Sequence, residues 1–132
     1  MSSIQVVAEG HGWERWGNFP RERQRLYDLV RETGANGVVF ISGDRHIGGL
    51  YKEPNGTPYP LLEITSSGIN QVFAGNREAG PNRLGAVYGA ANFGTADVDW
   101  WERTVTLSLR SENGEPVRRQ VVRLDELRVT NP

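Results

Sequence analysis

Between positions 42 and 46 the chain reads Ser42-Gly43-Asp44-Arg45-His46. A carboxylate and an imidazole stand two positions apart on a stretch that glycine allows to turn sharply. An oxygen donor beside a histidine nitrogen suits zinc, iron or manganese. The same residues also have a plain structural use, with Asp44 capping a turn and His46 bonded to backbone, and the tetrapeptide alone leaves both readings open. The second histidine, His11, lies in a glycine-rich stretch beside Trp13 and Trp16. It reads either as a surface-loop histidine among the tryptophans or as a contact to substrate or metal, with no second donor at ligand spacing. Thr65-Ser66-Ser67-Gly68 offers hydroxyls and N–H groups that can hold a loop or a phosphate oxygen, and the loop-holding role is preferred. Arg77 and Arg83 read as surface charges able to attract an anion, and Arg118-Arg119 as the solvated face of a strand.

The elements that must position these groups follow from the patterning. Residues 4–8 are a short β-branched run that reads as a strand entering a loop. Pro20 suits the first turn of a helix, with Asn18 as its expected cap. Leu26, Tyr27, Leu29 and Val30 then recur at helical spacing, and Gly34 supplies the stop, so a helix from Pro20 to about Glu32 should cover a sheet. Arg23 falls nearer that sheet than Arg21 or Arg25 and is expected to hold the preceding loop through a carboxylate. Residues 38–41 form a continuous apolar run, the pattern of a strand buried on both faces, and strand–helix–strand implies a parallel pair. Asp44 and His46 thus fall just past the C-terminal end of a buried strand, where open α/β sheets bind ligands. Residues 61–65 make a further strand of the same sheet. The stretch 69–93 has no sustained period and reads as a long ordered loop. In the tail, Ala96/Val98/Trp100 and Val105/Leu107/Leu109 alternate with polar residues, and Asn113-Gly114 marks a hairpin leading to residues 117–124. These three strands form an antiparallel meander, and residues 125–132 read as a loosely held terminus.

Composition narrows the function classes. At 132 residues the chain can enclose one apolar core, so a single domain over residues 1–132 is expected. Fifteen basic residues against sixteen acidic ones give no field that would favour nucleic acid or an anionic membrane as partner. The absence of cysteine removes disulfides, thiolate metal sites and a cysteine nucleophile, without fixing the compartment. No apolar run has the length of a membrane span or a signal peptide. Sixteen glycines concentrate at 10–17, 43–56 and 68–94, and loops of this kind are where sites tend to lie.

Taken in order, Trp16-Gly17-Asn18-Phe19-Pro20, Glu22-Arg23-Gln24-Arg25-Leu26, Val38-Val39-Phe40-Ile41-Ser42-Gly43-Asp44-Arg45-His46 and Thr65-Ser66-Ser67-Gly68 with Asn70 resemble the alkaline phosphatase D (PhoD-like) family. The resemblance is strongest over residues 4–70 and returns at Asn92-Phe93-Gly94. The family belongs to the calcineurin-like metallophosphoesterases, whose αββα sandwich carries a two-metal site at its strand ends. The resemblance implies an α/β (α+β) fold: the C-terminal part of that sandwich, a mixed sheet with one covering helix and the antiparallel meander.

It further implies a phosphoric ester hydrolase whose metal ions (iron, calcium, zinc or manganese) polarise the phosphoryl oxygens and activate water. Gly43-Asp44-Arg45-His46 matches the family's last metal motif. His46 would be a ligand, and Asp44 either a ligand or the partner that orients the imidazole. Both would act in catalysis, while His11, Trp16 and Asn70 would meet the phosphate-ester substrate. Arg45 departs from the small aliphatic residue commonest in the wider family, which leaves metal and substrate open. The family's earlier motifs would lie ahead of Ile4, so the chain is expected to need the missing N-terminal half of the same domain. The competing reading is a stand-alone or split-partner binding module without catalysis. Family members are often exported, and the sequence leaves this chain's compartment open.

Overall fold

A computed structural model describes residues 1–55 and 58–129. It is an α+β structure with one α-helix and two three-stranded sheets. Helix α1 (Pro20–Glu32) starts on its proline as expected, and Thr33 caps its C-terminal end, its N–H reaching the Leu29 carbonyl. The expected cap is corrected: Asn18 lies inside a 3-10 turn, Trp16–Asn18, and Phe19 holds the N-cap position with no side-chain bond. Pro20, at the first helical position, has no N–H, so the first turn carries one fewer unpaired donor. Tyr27 and Val30 face the core, each worth about 2 kcal/mol of apolar burial. Leu29, expected on that face, is exposed.

The first sheet has the order β1-β3-β2, from strands β1 (Val39–Ser42), β2 (Gly48–Glu53) and β3 (Leu61–Ser66). β1 runs parallel to β3, and β2 pairs antiparallel on the other side of β3. The parallel pair is therefore β1 with β3, and the third strand of the sheet is β2, inside the glycine-rich stretch 43–56 that reads as loop from its composition. Its first residues, Gly48-Gly49, carry no strand signal, yet glycine is what the packing requires, since a Cβ on Gly48 would overlap the Leu109 side chain. β1 is buried on one face only, with Phe40 inside and Ile41 exposed.

Residues 4–8 form no strand, which corrects the first expectation. Only Gln5 makes an isolated bridge, to Arg15. The run is extended and buried, with Val6, Val7 and Ala8 almost wholly shielded, but its N–H groups bond to a side chain. The Glu63 carboxylate, fully buried on β3, accepts from Val6 at 2.8 Å, Val7 at 2.7 Å and Ala8 at 3.1 Å. Buried N–H groups need an acceptor, and here a glutamate supplies what a neighbouring strand would. Burial pushes the Glu63 carboxyl above its ordinary value, opposed by a Ser42 hydrogen bond and the three backbone donors.

The second sheet is the expected meander: β4 (Asn92–Asp99), β5 (Thr104–Ser111) and β6 (Pro116–Arg123), joined in that order. Gly114 turns the last hairpin at a φ of 85°, where a side chain would be strained. Val105, Leu107 and Leu109 are buried, whereas Val98 and Trp100 on β4 and its turn are exposed, so one of the two alternating stripes has no cover. One apolar cluster joins segment 6–8, α1, both sheets and Leu127. Leu127 also anchors the end of the described chain: its carbonyl takes the Gly37 N–H and the Val129 N–H reaches Asn36. Residues 125–129 are thus held, contrary to expectation, and 130–132 lie outside the described residues, as does Gly56. Among the described residues no helix is long and apolar enough to cross a membrane.

Candidate functional site

The strand order decides where Asp44 and His46 sit. To pass from β1 to β2, which flank β3, loop 43–47 must arch over the C-terminal end of β3. The arch is pinned by backbone. The His46 N–H donates to the Ser67 hydroxyl at 2.9 Å, the Ser67 N–H to the Ile47 carbonyl, and the Phe73 N–H to the His46 carbonyl at 2.8 Å. Ser67 therefore takes the loop-holding role expected of it. Asp44 and His46 both adopt left-handed backbone, at φ 71° and 53°. Left-handed backbone costs most side chains about 1–2 kcal/mol, but Asp and His are among the residues that enter it most readily, so these angles mark a tight turn.

Arg45, between them, points the other way energetically: it is buried, pairs with Glu78 at 2.6 Å and sits 4.9 Å from the centre of the Trp13 ring. One buried ion pair thus locks the turn while its two neighbours stay at the surface. Asp44, exposed, and His46, half-buried, line one cleft of about 390 Å³ together with Trp13, Glu14, Gln71 and Phe73. Among the described residues neither side chain has a hydrogen-bond partner, whereas the His46 main chain is bonded at both its N–H and its carbonyl. The turn is thus held through its main chain and not through these two side chains.

These two residues fit part of a metal's coordination shell: an anionic oxygen and an imidazole nitrogen, without competing bonds. Among the described residues no three His, Asp or Glu side chains form a group able to hold an ion. Asp44 and His46 share the lining of this cleft, and by themselves they fall short of a full ligand set.

His11 is brought near this cleft but not into it, and it is buried rather than on the surface. Its Nδ1 accepts the Trp13 N–H at 3.2 Å, and it lines a neighbouring cleft that shares Trp13 and Phe73 with the first. Burial lowers its pKa from the ordinary value, with Glu78 opposing and Arg45 and Arg15 assisting. Trp16 lines neither cleft; its indole N–H donates to Ser2 at 3.1 Å and its ring packs against the core. Asn70 is exposed in the loop after β3 and does not line the cleft either.

The supporting charges behave partly as expected. Arg23 pairs with Glu9, which also receives Arg15 at 3.1 Å, so the loop from 9 to 15 is tied to α1 through one carboxylate. Burial alone would raise the Glu9 pKa, and the two guanidinium groups more than offset it, leaving it below the ordinary value. Arg77 and Arg83 bond to backbone carbonyls of their own loop. Arg118, expected to face solvent, donates to the Ala86 carbonyl and secures the long loop to β6.

Sequence reasoning passed over Glu63, Phe73 and Glu78. Glu63 had a signal, a charge inside the apolar run Leu61-Leu62-Glu63-Ile64. Phe73 and Glu78 lie in an aperiodic loop and had none. Comparison with models of known protein families and with the sequences of curated proteins yields no match.

Proposed function

We propose that this chain is the C-terminal portion of a PhoD-like metallophosphoesterase domain, and that it contributes the last metal-binding motif of a phosphoric ester hydrolase. The observation that carries the reading is the pairing of Asp44 and His46 on one rigid, left-handed turn at the C-terminal end of a parallel strand pair, with both side chains unbonded and facing one cleft. In this reading His46 holds one of two ions through an imidazole nitrogen, and Asp44 ligates the same ion or fixes the imidazole. A bound metal would supply charge to neutralise the phosphoryl oxygens and lower the pKa of water. The chain's own part is to keep that histidine in place: Arg45 and Glu78 lock the turn from below, and Ser67 and Phe73 hold it from the sides.

The uncovered apolar surface supports a missing half. Ile41, Ile69, Phe93 and Ala96 line a groove of about 210 Å³ beside edge strand β1, and Ile41, Ile69 and Val98 are all exposed. A second reading, a binding module without catalysis, is favoured by the continuous core that ties both sheets together. The test is to join this chain to an upstream segment carrying Asp and Asn-Asp-His type motifs, then measure metal content and aryl phosphate hydrolysis. The isolated chain should be inactive. In the joined protein His46→Ala should remove at least about a hundredfold of activity, with Asp44→Asn less damaging and His11→Ala least. Full metal content and near-native turnover in His46→Ala would leave Gly43-Asp44-Arg45-His46 as a turn only.

A further inference from the structure

Asn92, the first residue of β4, is 2% exposed, and both ends of its side-chain amide are bonded inside the fold. Oδ1 accepts the Ser66 hydroxyl at 3.1 Å, and Nδ2 donates to the Ala90 carbonyl at 2.7 Å. Its main-chain N–H donates to the Gly68 carbonyl at 3.1 Å. Gly68 makes room for the amide, because a Cβ there would overlap Nδ2. Asn92 thus grips Ser66 and Gly68, the residues on either side of Ser67. Ser67 is the residue whose hydroxyl takes the His46 N–H at 2.9 Å and whose own N–H reaches the Ile47 carbonyl at 3.2 Å.

A buried asparagine could serve merely to join two sheets. Apolar packing already does that here, with Leu109 over Gly48 and Ile64 over Gly94. What an amide adds is direction, since a satisfied buried network fixes one arrangement of the groups it joins. The group fixed is the turn that carries Ser67. His46 stands in left-handed backbone at φ 53°, and the bond on its N–H restrains that torsion and with it the direction of the imidazole.

We propose that Asn92 is a positioning residue for His46: it sets the 66–68 turn from the other sheet and, through the Ser67 hydroxyl, the stance of the imidazole in its cleft. That the imidazole then holds a metal rests on the phosphoesterase reading. The coupling from Asn92 to His46 does not.

The experiment follows amide hydrogen exchange and the His46 amide and ring shifts by NMR on the full chain. Asn92→Ala should speed exchange of the His46 N–H about tenfold and move its ring shifts. The amides of β5, the central strand of the second sheet, should change far less, whereas a general loosening would speed them equally. Asn92→Asp, which keeps the acceptor for Ser66, should restore part of the protection. Ser66→Ala cuts the same bond from its other end and serves if Asn92→Ala does not fold. In a Ser67→Ala background, where the link to His46 is already gone, Asn92→Ala should add nothing at His46. Unchanged exchange at His46 in the folded variants, or effects of Asn92→Ala and Ser67→Ala that simply add, overturns the proposal. In the joined protein Asn92→Ala should also weaken metal binding about tenfold. Full metal content in His46→Ala would sink the phosphoesterase reading and leave a measured coupling standing. Metal loss in His46→Ala with no response of His46 to Asn92→Ala would do the reverse.

Discussion

Replacing Glu63 by glutamine tests whether a side chain does the work of a strand. The carboxylate presents two acceptor oxygens to three backbone donors: Oε1 to Val6, and Oε2 to Val7 and Ala8. Glutamine has one carbonyl oxygen and one NH2. With its oxygen placed for Val7 and Ala8, the NH2 faces the Val6 N–H, and that donor loses its partner in a site closed to water. A buried donor left unpaired costs about 1–3 kcal/mol. Glu63→Gln should therefore destabilise the chain by about 2 kcal/mol, and Glu63→Leu, which strands all three donors, by more. The midpoint of urea unfolding measures the total, and amide exchange locates it, because Val6, Val7 and Ala8 should lose protection before α1 does. The consequence reaches the site: segment 5–8 leads directly into Gly10, His11, Gly12 and Trp13, which line the second cleft. Trp13 resonances should broaden or shift in the variant. Unfolding within 0.5 kcal/mol of the parent, with amides 6–8 equally protected, would refute the idea that Glu63 is the acceptor holding this segment.

Arg45→Met should cost about 3–5 kcal/mol, because it leaves Glu78 buried without its cation and removes the stack on Trp13. Denaturant unfolding checks this, and a loss below 1 kcal/mol would show that the pair does not lock the turn. Since burial depresses the His11 pKa in the fold, neutral His11 contributes stability that is complete above its unfolded value of about 6.5 and is lost as pH falls through the folded value. Urea midpoints between pH 7.5 and 5 should therefore drop more for the parent than for His11→Phe; parallel curves would contradict the assignment. The uncovered surface at Ile41, Ile69 and Val98 should make the isolated chain self-associate. Ile41→Lys should reduce light scattering at equal concentration, and a monodisperse parent chain would count against a missing covering half.

What the sequence by itself determined is local. Pro20 and the spacing of Leu26, Tyr27 and Val30 define α1, and alternation with Asn113-Gly114 defines the β5–β6 hairpin, because these signals act between residues a few positions apart. The position of Asp44 and His46 just after a strand was legible for the same reason. What only the tertiary structure decided depends on partners distant in sequence. Residues 4–8 carry a strand composition, but propensity says that a run will be extended and buried, not which acceptor will receive its N–H groups; Glu63, more than fifty positions away, makes it a tethered segment instead of a strand. Gly48-Gly49 carry no strand propensity and join β2 by pairing with Ser66 and Thr65 of β3, where Leu109 of the other sheet leaves no room for a side chain on Gly48. The clefts arise in the same way. Trp13, Arg45, Phe73 and Glu78 come from three separate loops, and their meeting is set by the arch of 43–47 over β3, a consequence of strand order that no local pattern encodes.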